Sequence, residues 1–180
     1  MRAYHVVCDR PLAVGQRIFF DDRHHSGVYQ RVMSLADKAA DVIAHPEKYA
    51  LPLEHHLDVA IRELALEQVR RERYPEYPSR MACLYVSSEL APAQEWAKYF
   101  ARLGRPTYAI VELDIDGRCF RGDAINCFDG TPDQAHNLAC AERYWRNEPN
   151  GEGAPIWEML VDGDIRVIRI VEEIGANIPE

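Results

Sequence analysis

The chain has 180 residues, 47% of them apolar and 28% charged, which is enough for one globular domain spanning residues 1–180 and too little for two independent cores. A chain of this length buries roughly 70% of its unfolded surface, so it needs neither a disulfide nor a metal to fold. With 29 acidic and 21 basic residues the net charge is -8, which argues against a nucleic-acid coat or a membrane-surface protein, although a small basic pocket stays open.

Tyr4 to Cys8 (YHVVC) reads as a short strand closed by Asp9, Arg10 and Pro11. Ile18, Phe19 and Phe20 suggest a second strand ended by Asp21 and Asp22. From Ser26 the period changes: Val28, Val32, Leu35, Ala36, Ala39 and Ile43 follow a helical stripe up to His45 and Pro46. A second helix is expected from about Glu54 to Arg73, with Leu57, Ile61, Leu64 and Ala65 on one face, and YPEYPSR (Tyr74 to Arg80) is a stiff connector. Met81 to Val86 reads as a strand. The helix after it runs through Leu90, Ala93, Ala97, Phe100 and Leu103, with Ser88 as its N-cap and Gly104 as its stop. Thr107 to Ile115 alternates, with Ala109, Val111, Leu113 and Ile115 on one side and Glu112 and Asp114 on the other. Asp116-Gly117 signals a hairpin returning through Cys119 and Phe120, and a short helix follows from Pro132 to Arg146. After a loop from Asn147 to Ala154, Pro155 to Val161 forms a strand. Asp162-Gly163 signals a second hairpin, and Ile165 to Val171 is its return strand. The expected class is α+β, with helices packed on a largely antiparallel sheet or pair of sheets.

Nothing approaches the roughly 18 continuous apolar residues of a membrane span, and the N-terminus lacks the apolar core of a signal peptide. The cysteines Cys8, Cys83, Cys119, Cys127 and Cys140 are scattered, with no C-x-x-C. A cytoplasmic protein with reduced, buried thiols is expected. His24-His25 and His55-His56 are adjacent pairs whose side chains point apart, so no metal is expected. No Walker A or G-x-G-x-x-G motif is present, and no nucleophile signature.

Glu158 is the most informative residue. It is the one charged side chain in an apolar strand, and an ionised carboxylate there costs several kcal/mol unless it is partnered or faces a cleft. A two-residue turn at Asp162-Gly163 would set Ile156 opposite Arg169 and let Glu158 pair diagonally with that arginine. The strand could instead be an edge that leaves Glu158 wet, or it could present the carboxylate to a ligand. His5 lies in the first strand. Tyr85 ends the middle strand, and Trp96 and Tyr99 fall on the helix after it, where aromatic side chains serve the core or bracket a flat ring.

Taken in order, three segments resemble the His-Tyr-Glu pattern of the ADP-ribosyltransferase superfamily, in its diphtheria-toxin and poly(ADP-ribose)-polymerase branch. They are AYHVV, CLYVSSELAPAQEWAKYF and IWEMLVDGDIRVIRIV. From Tyr4 to about Val171 the chain also resembles a family of uncharacterised bacterial proteins associated with this fold. The resemblance implies an ADP-ribosyltransferase-like split antiparallel sheet with helices packed on it. It implies NAD+ as substrate and a protein or small-molecule acceptor that it does not name. His5 would bind the adenosine-side ribose, Tyr85 would stack on nicotinamide, and Trp96, or failing that Tyr99, would cover the opposite ring face. Glu158 would be catalytic, binding the 2′-hydroxyl of the nicotinamide ribose and steadying positive charge on the sugar. Val6 and Val7 stand where the family usually has Gly or a small polar residue, and Ile156 stands where arginine-modifying relatives carry a second acid. The alternative reading is a catalytically inactive protein of the same fold that binds a nucleotide or a partner.

Overall fold

The computed structural model describes residues 1–8 and 10–175. Asp9, part of the expected close of the first strand, lies outside the described residues. The chain is α+β, with its described strands in two antiparallel sheets. In the first, β1 (Arg2–Val7), β4 (Ala109–Asp116), β7 (Gly163–Glu173) and β2 (Arg17–Phe20) lie side by side in that order. In the second the order is β3 (Leu84–Val86), β6 (Trp157–Val161) and β5 (Cys119–Asp123). A two-way backbone bridge between Tyr4 and Ser87, both bonds at 2.8 Å, links the chain at β1 to the chain just past β3.

The sheets face each other across an apolar layer. Ala3, Val7, Val111, Leu113, Ile115, Ile165 and Val167 come from the first, and Val86, Met159 and Val161 from the second. The alternation expected along β4 therefore holds, because its odd-numbered side chains fill this layer. The back of the first sheet carries α4 (Leu90–Arg102) on Val6, Cys8 and Ile110. The back of the second carries α3 (His55–Arg73) and α5 (Gln134–Trp145), packed on Cys83, Phe120 and Leu160. Strand β6 is covered on both faces, which is why its sequence is apolar on both. Two shorter helices, α1 (Gly27–Met33) and α2 (Ala36–Ala44), pack on α3. Among the described residues, no helix is long and apolar enough to cross a membrane.

Several expectations need correction. The helix from Ser26 breaks into α1 and α2, where the Ser34 hydroxyl turns back to donate to the Arg31 carbonyl at 2.7 Å. The N-cap of α4 is Glu89, not Ser88, although Gly104 does stop the helix with φ 72°. The strand expected from Met81 starts only at Leu84. A turn at Ser79 holds the preceding segment, with the Ala82 N–H donating to the Ser79 carbonyl at 2.9 Å.

The largest correction concerns the two Asp-Gly turns. Neither closes a hairpin, because β4 and β5, like β6 and β7, belong to different sheets. At both points the chain crosses from one sheet to the other, and the two crossings touch. Asp162 is buried and accepts from the Arg118 N–H at 2.9 Å and from its Nε at 2.8 Å. Gly163 sits at φ 80°, where a side chain would be strained. A Cβ on Gly117 would fall on the Asp162 carbonyl, and one on Gly163 would fall on the Asp116 carbonyl. The glycines are there so that two backbones can pass. Gly117→Ala should lower the unfolding free energy by about 1–3 kcal/mol in denaturant titration, whereas Ala at Gly151, whose Cβ would meet nothing, should not.

Candidate active site

The back face of the second sheet holds a cluster of buried charges. Its hub is Arg80, at the end of the connector between α3 and β3. The connector is clasped from α3: the Ser79 hydroxyl donates to Glu67 at 2.7 Å, and Arg70 Nη1 donates to the Tyr77 carbonyl at 3.0 Å. Arg70 and Arg71 also hold Glu67, through bonds of 2.6–3.0 Å. So fixed, the Arg80 guanidinium lies buried, with 7% of its side chain exposed. Its Nε and Nη2 donate to the two oxygens of Glu63 on α3, at 3.0 and 3.4 Å. Its Nη1 donates to Glu158 Oε1 on β6 and to the hydroxyl of Tyr144 on α5, both at 2.6 Å. Tyr144 in turn donates to the same Oε1 at 2.6 Å. Arg62 Nε completes the group on Glu63 Oε1 at 3.1 Å. Two arginines thus balance two glutamates, the condition for burying any of them.

The electrostatics follow from that packing. Burial works against the Arg80 charge, but Glu158 and Glu63 outweigh it and hold the guanidinium well above its ordinary pKa. Burial pushes the Tyr144 and Tyr85 hydroxyls well above the phenol range, with Arg80 opposing. The Cys83 and Cys127 thiols, also near Arg80, are pushed up by burial. They are thiols at neutral pH, not nucleophilic thiolates.

The structure puts two of the expected residues, Tyr85 and Glu158, on one face of the second sheet, and brings a third, His5, to the Tyr85 backbone carbonyl. Tyr85 pairs across the strands with Leu160, so its side chain and that of Glu158 lie on one face, two residues apart along β6. The Tyr85 ring centroid is 5.5 Å from the Arg80 guanidinium carbon, and the residue keeps 36% of its surface exposed. His5 stands on β1 opposite Val111, and its Nδ1 lies 2.8 Å from the Tyr85 carbonyl. A carbonyl can only accept, so Nδ1 carries the proton and the ring is held in one orientation. On β5, Gly122 stands opposite Glu158 and puts no side chain beside it.

Other expectations do not assemble. Glu158 does not meet Arg169, because β6 and β7 are not paired. Arg169 instead lies opposite Glu112 on β4 and donates its Nε to that carboxylate. Trp96 and Tyr99 ride on α4, behind the first sheet, and Trp96 has its ring contacts with Tyr99 and Phe100, both at 5.7 Å. Trp96 packs in that layer and Tyr99 is exposed, and neither forms a ring clamp with Tyr85. A hollow of about 220 Å³ between α3 and α5, lined by Val69, Glu72, Arg73, Leu138, Ala139 and Glu142, includes none of the trio. No group of three metal-ligating side chains occurs among the described residues.

Glu63, Arg80 and Tyr144 were not singled out from the sequence. A signal existed for the first: Glu63, Glu67 and Arg70 recur four and three residues apart along a helix whose remaining inner positions are apolar. Arg80 and Tyr144 carried none, because their partner lies 78 and 14 residues away on another element.

The family model described as "Protein of unknown function (DUF2441)" matches residues 3–173. A comparison with curated proteins finds no match.

Two predictions follow from the charge cluster. Arg80→Ala strands Glu63 and Glu158 without their shared partner and should cost about 3–5 kcal/mol in equilibrium unfolding, whereas Arg169→Ala, on the exposed face, should leave the melting temperature almost unchanged. Burial alone would raise the Glu67 carboxyl, but the bonds from Arg70 and Ser79 hold it below the ordinary glutamate value. Its contribution to stability is therefore present above the unfolded glutamate pKa of about 4.3 and is lost as pH falls through the lower folded value. Melting temperatures measured from pH 7 downward should show that loss in the native chain, and a smaller part of it in Glu67→Gln, which starts lower at pH 7.

Proposed function

We propose, for a chain that belongs to the DUF2441 family of proteins of unknown function, an ADP-ribosyltransferase-like domain that binds NAD+ and transfers ADP-ribose to an acceptor or to water. The observation that carries this reading is that Tyr85 and Glu158 share one face of the second sheet, with His5 Nδ1 on the Tyr85 backbone carbonyl. The three residues come from β1, β3 and β6, strands far apart in sequence, and this supports the reading. Two antiparallel sheets packed face to face, with helices on their backs, support the split-sheet fold that the resemblance implies.

In this reading Tyr85 offers its exposed ring to nicotinamide, His5 meets the adenosine-side ribose, and Glu158 accepts from the 2′-hydroxyl of the other ribose. The bond from C1′ to the nicotinamide nitrogen breaks, and its electron pair leaves with nicotinamide. Positive charge grows on the sugar, and the Glu158 carboxylate stabilises it in a site with little water. The acceptor oxygen then bonds to C1′ and releases its proton. With water as acceptor the products are ADP-ribose, nicotinamide and one proton. Trp96 has no part, because it packs behind the first sheet, and neither has Tyr99, which is exposed on the same helix.

A second reading rests on the ion pair itself. Arg80 shares the Glu158 charge, and Val6 and Val7 follow His5, so the domain would bind NAD+ without cleaving it.

Nicotinamide release from millimolar NAD+ distinguishes the two. The first reading expects release by the native protein and at least about a hundredfold less from Glu158→Gln. Saturable binding in calorimetry without release favours the second. Neither binding nor release would overturn both.

A further inference from the structure

We infer that Arg80 and Tyr144 are positioning residues for Glu158, fixing its carboxylate by occupying Oε1 and leaving Oε2 as the oxygen offered to a ligand. This rests on the reading of Glu158 as the residue that meets the ribose. The outer torsion of a free glutamate is broad and nearly two-fold, so an unrestrained carboxylate would present either oxygen. Here both donors, Arg80 Nη1 and the Tyr144 hydroxyl, converge on Oε1 at 2.6 Å. No described residue donates to Oε2.

The donors are themselves immobile. Glu63 grips Arg80 through two nitrogens. Tyr144 has no exposed surface, and its ring packs against Phe120 and Trp145 at centroid distances of 5.4 and 4.9 Å. The order of the bonds is also settled. The Tyr144 hydroxyl accepts from Arg80, so its single proton goes to Glu158. A stable core needs no such arrangement, since apolar side chains of similar volume often replace a buried ion pair without loss. An oriented carboxylate does need it, because a displacement near 1 Å at a reacting centre costs about a hundredfold in rate.

The test is Tyr144→Phe, which keeps the ring and removes one donor, beside Arg80→Lys, which keeps the charge and loses the fork. In crystal structures of both variants the Glu158 carboxylate should turn or shift. An unchanged carboxylate in both overturns the inference, whatever the activity. In nicotinamide release, Tyr144→Phe should lower kcat about ten- to a hundredfold and leave KM within about threefold. Arg80→Lys should retain more activity than Arg80→Gln. A lower melting temperature with unchanged kcat would mean the two residues only hold the fold. If the native protein neither binds nor cleaves NAD+, the proposed function fails and the crystallographic comparison alone decides whether Glu158 is held.

Discussion

One guanidinium, that of Arg80, ties together elements from four parts of the chain. It reaches Glu63 on α3, Tyr144 on α5 and Glu158 on β6, from a connector that α3 itself pins through Glu67 and Ser79. A buried charge tolerates little error in the placement of its partners, because each one lost leaves an uncompensated ion in a poorly polarisable interior. The back of the second sheet is therefore specified more narrowly than apolar packing alone would specify it. The Trp145 indole adds to this by donating to the Leu66 carbonyl at 2.8 Å, which fixes α5 on α3 just beside the cluster.

The paired crossings at Asp116-Gly117 and Asp162-Gly163 set the rest of the geometry. Because the chain changes sheets there, β6 is the central strand of the second sheet, with β3 on one side and β5 on the other. That position sets the bare Gly122 of β5 opposite Glu158, and Tyr85 of β3 opposite Leu160 on the same face. The Tyr4–Ser87 bridge brings His5 to the same edge. Glu158 and Tyr85 thus belong to the back face of the second sheet, and His5 reaches its edge strand from the first.

What could be read from the residues follows the range of the forces involved. The alternation of Ala109, Val111, Leu113 and Ile115 and the extent of α3, which starts at His55 with Glu54 as its cap, are local patterns and were legible. The need for Glu158 to have a partner, or an open face, was legible too, from the cost of burying its charge. The partner's identity was not. The Asp-Gly dipeptides carry the same local turn chemistry whether the flanking strands pair with each other or separate, and the separation is decided by what covers each face of β6. Assuming a hairpin gave a register in which Arg169 was the natural partner, yet that arginine lies in the other sheet, bonded to Glu112. Trp96 shows the reverse error: a ring on a helix beside Tyr85 in sequence packs on the far side of β1.

In the proposed function Glu158, held by Arg80, meets the same ligand as Tyr85, with His5 at the neighbouring strand edge. A crystal structure of the native protein soaked with NAD+ or nicotinamide tests it most directly. A nicotinamide ring is expected against Tyr85, with the adjoining ribose hydroxyl on Glu158 Oε2. Ligand bound elsewhere, for instance in the hollow between α3 and α5, with Glu158 touching only Arg80 and Tyr144, would contradict it.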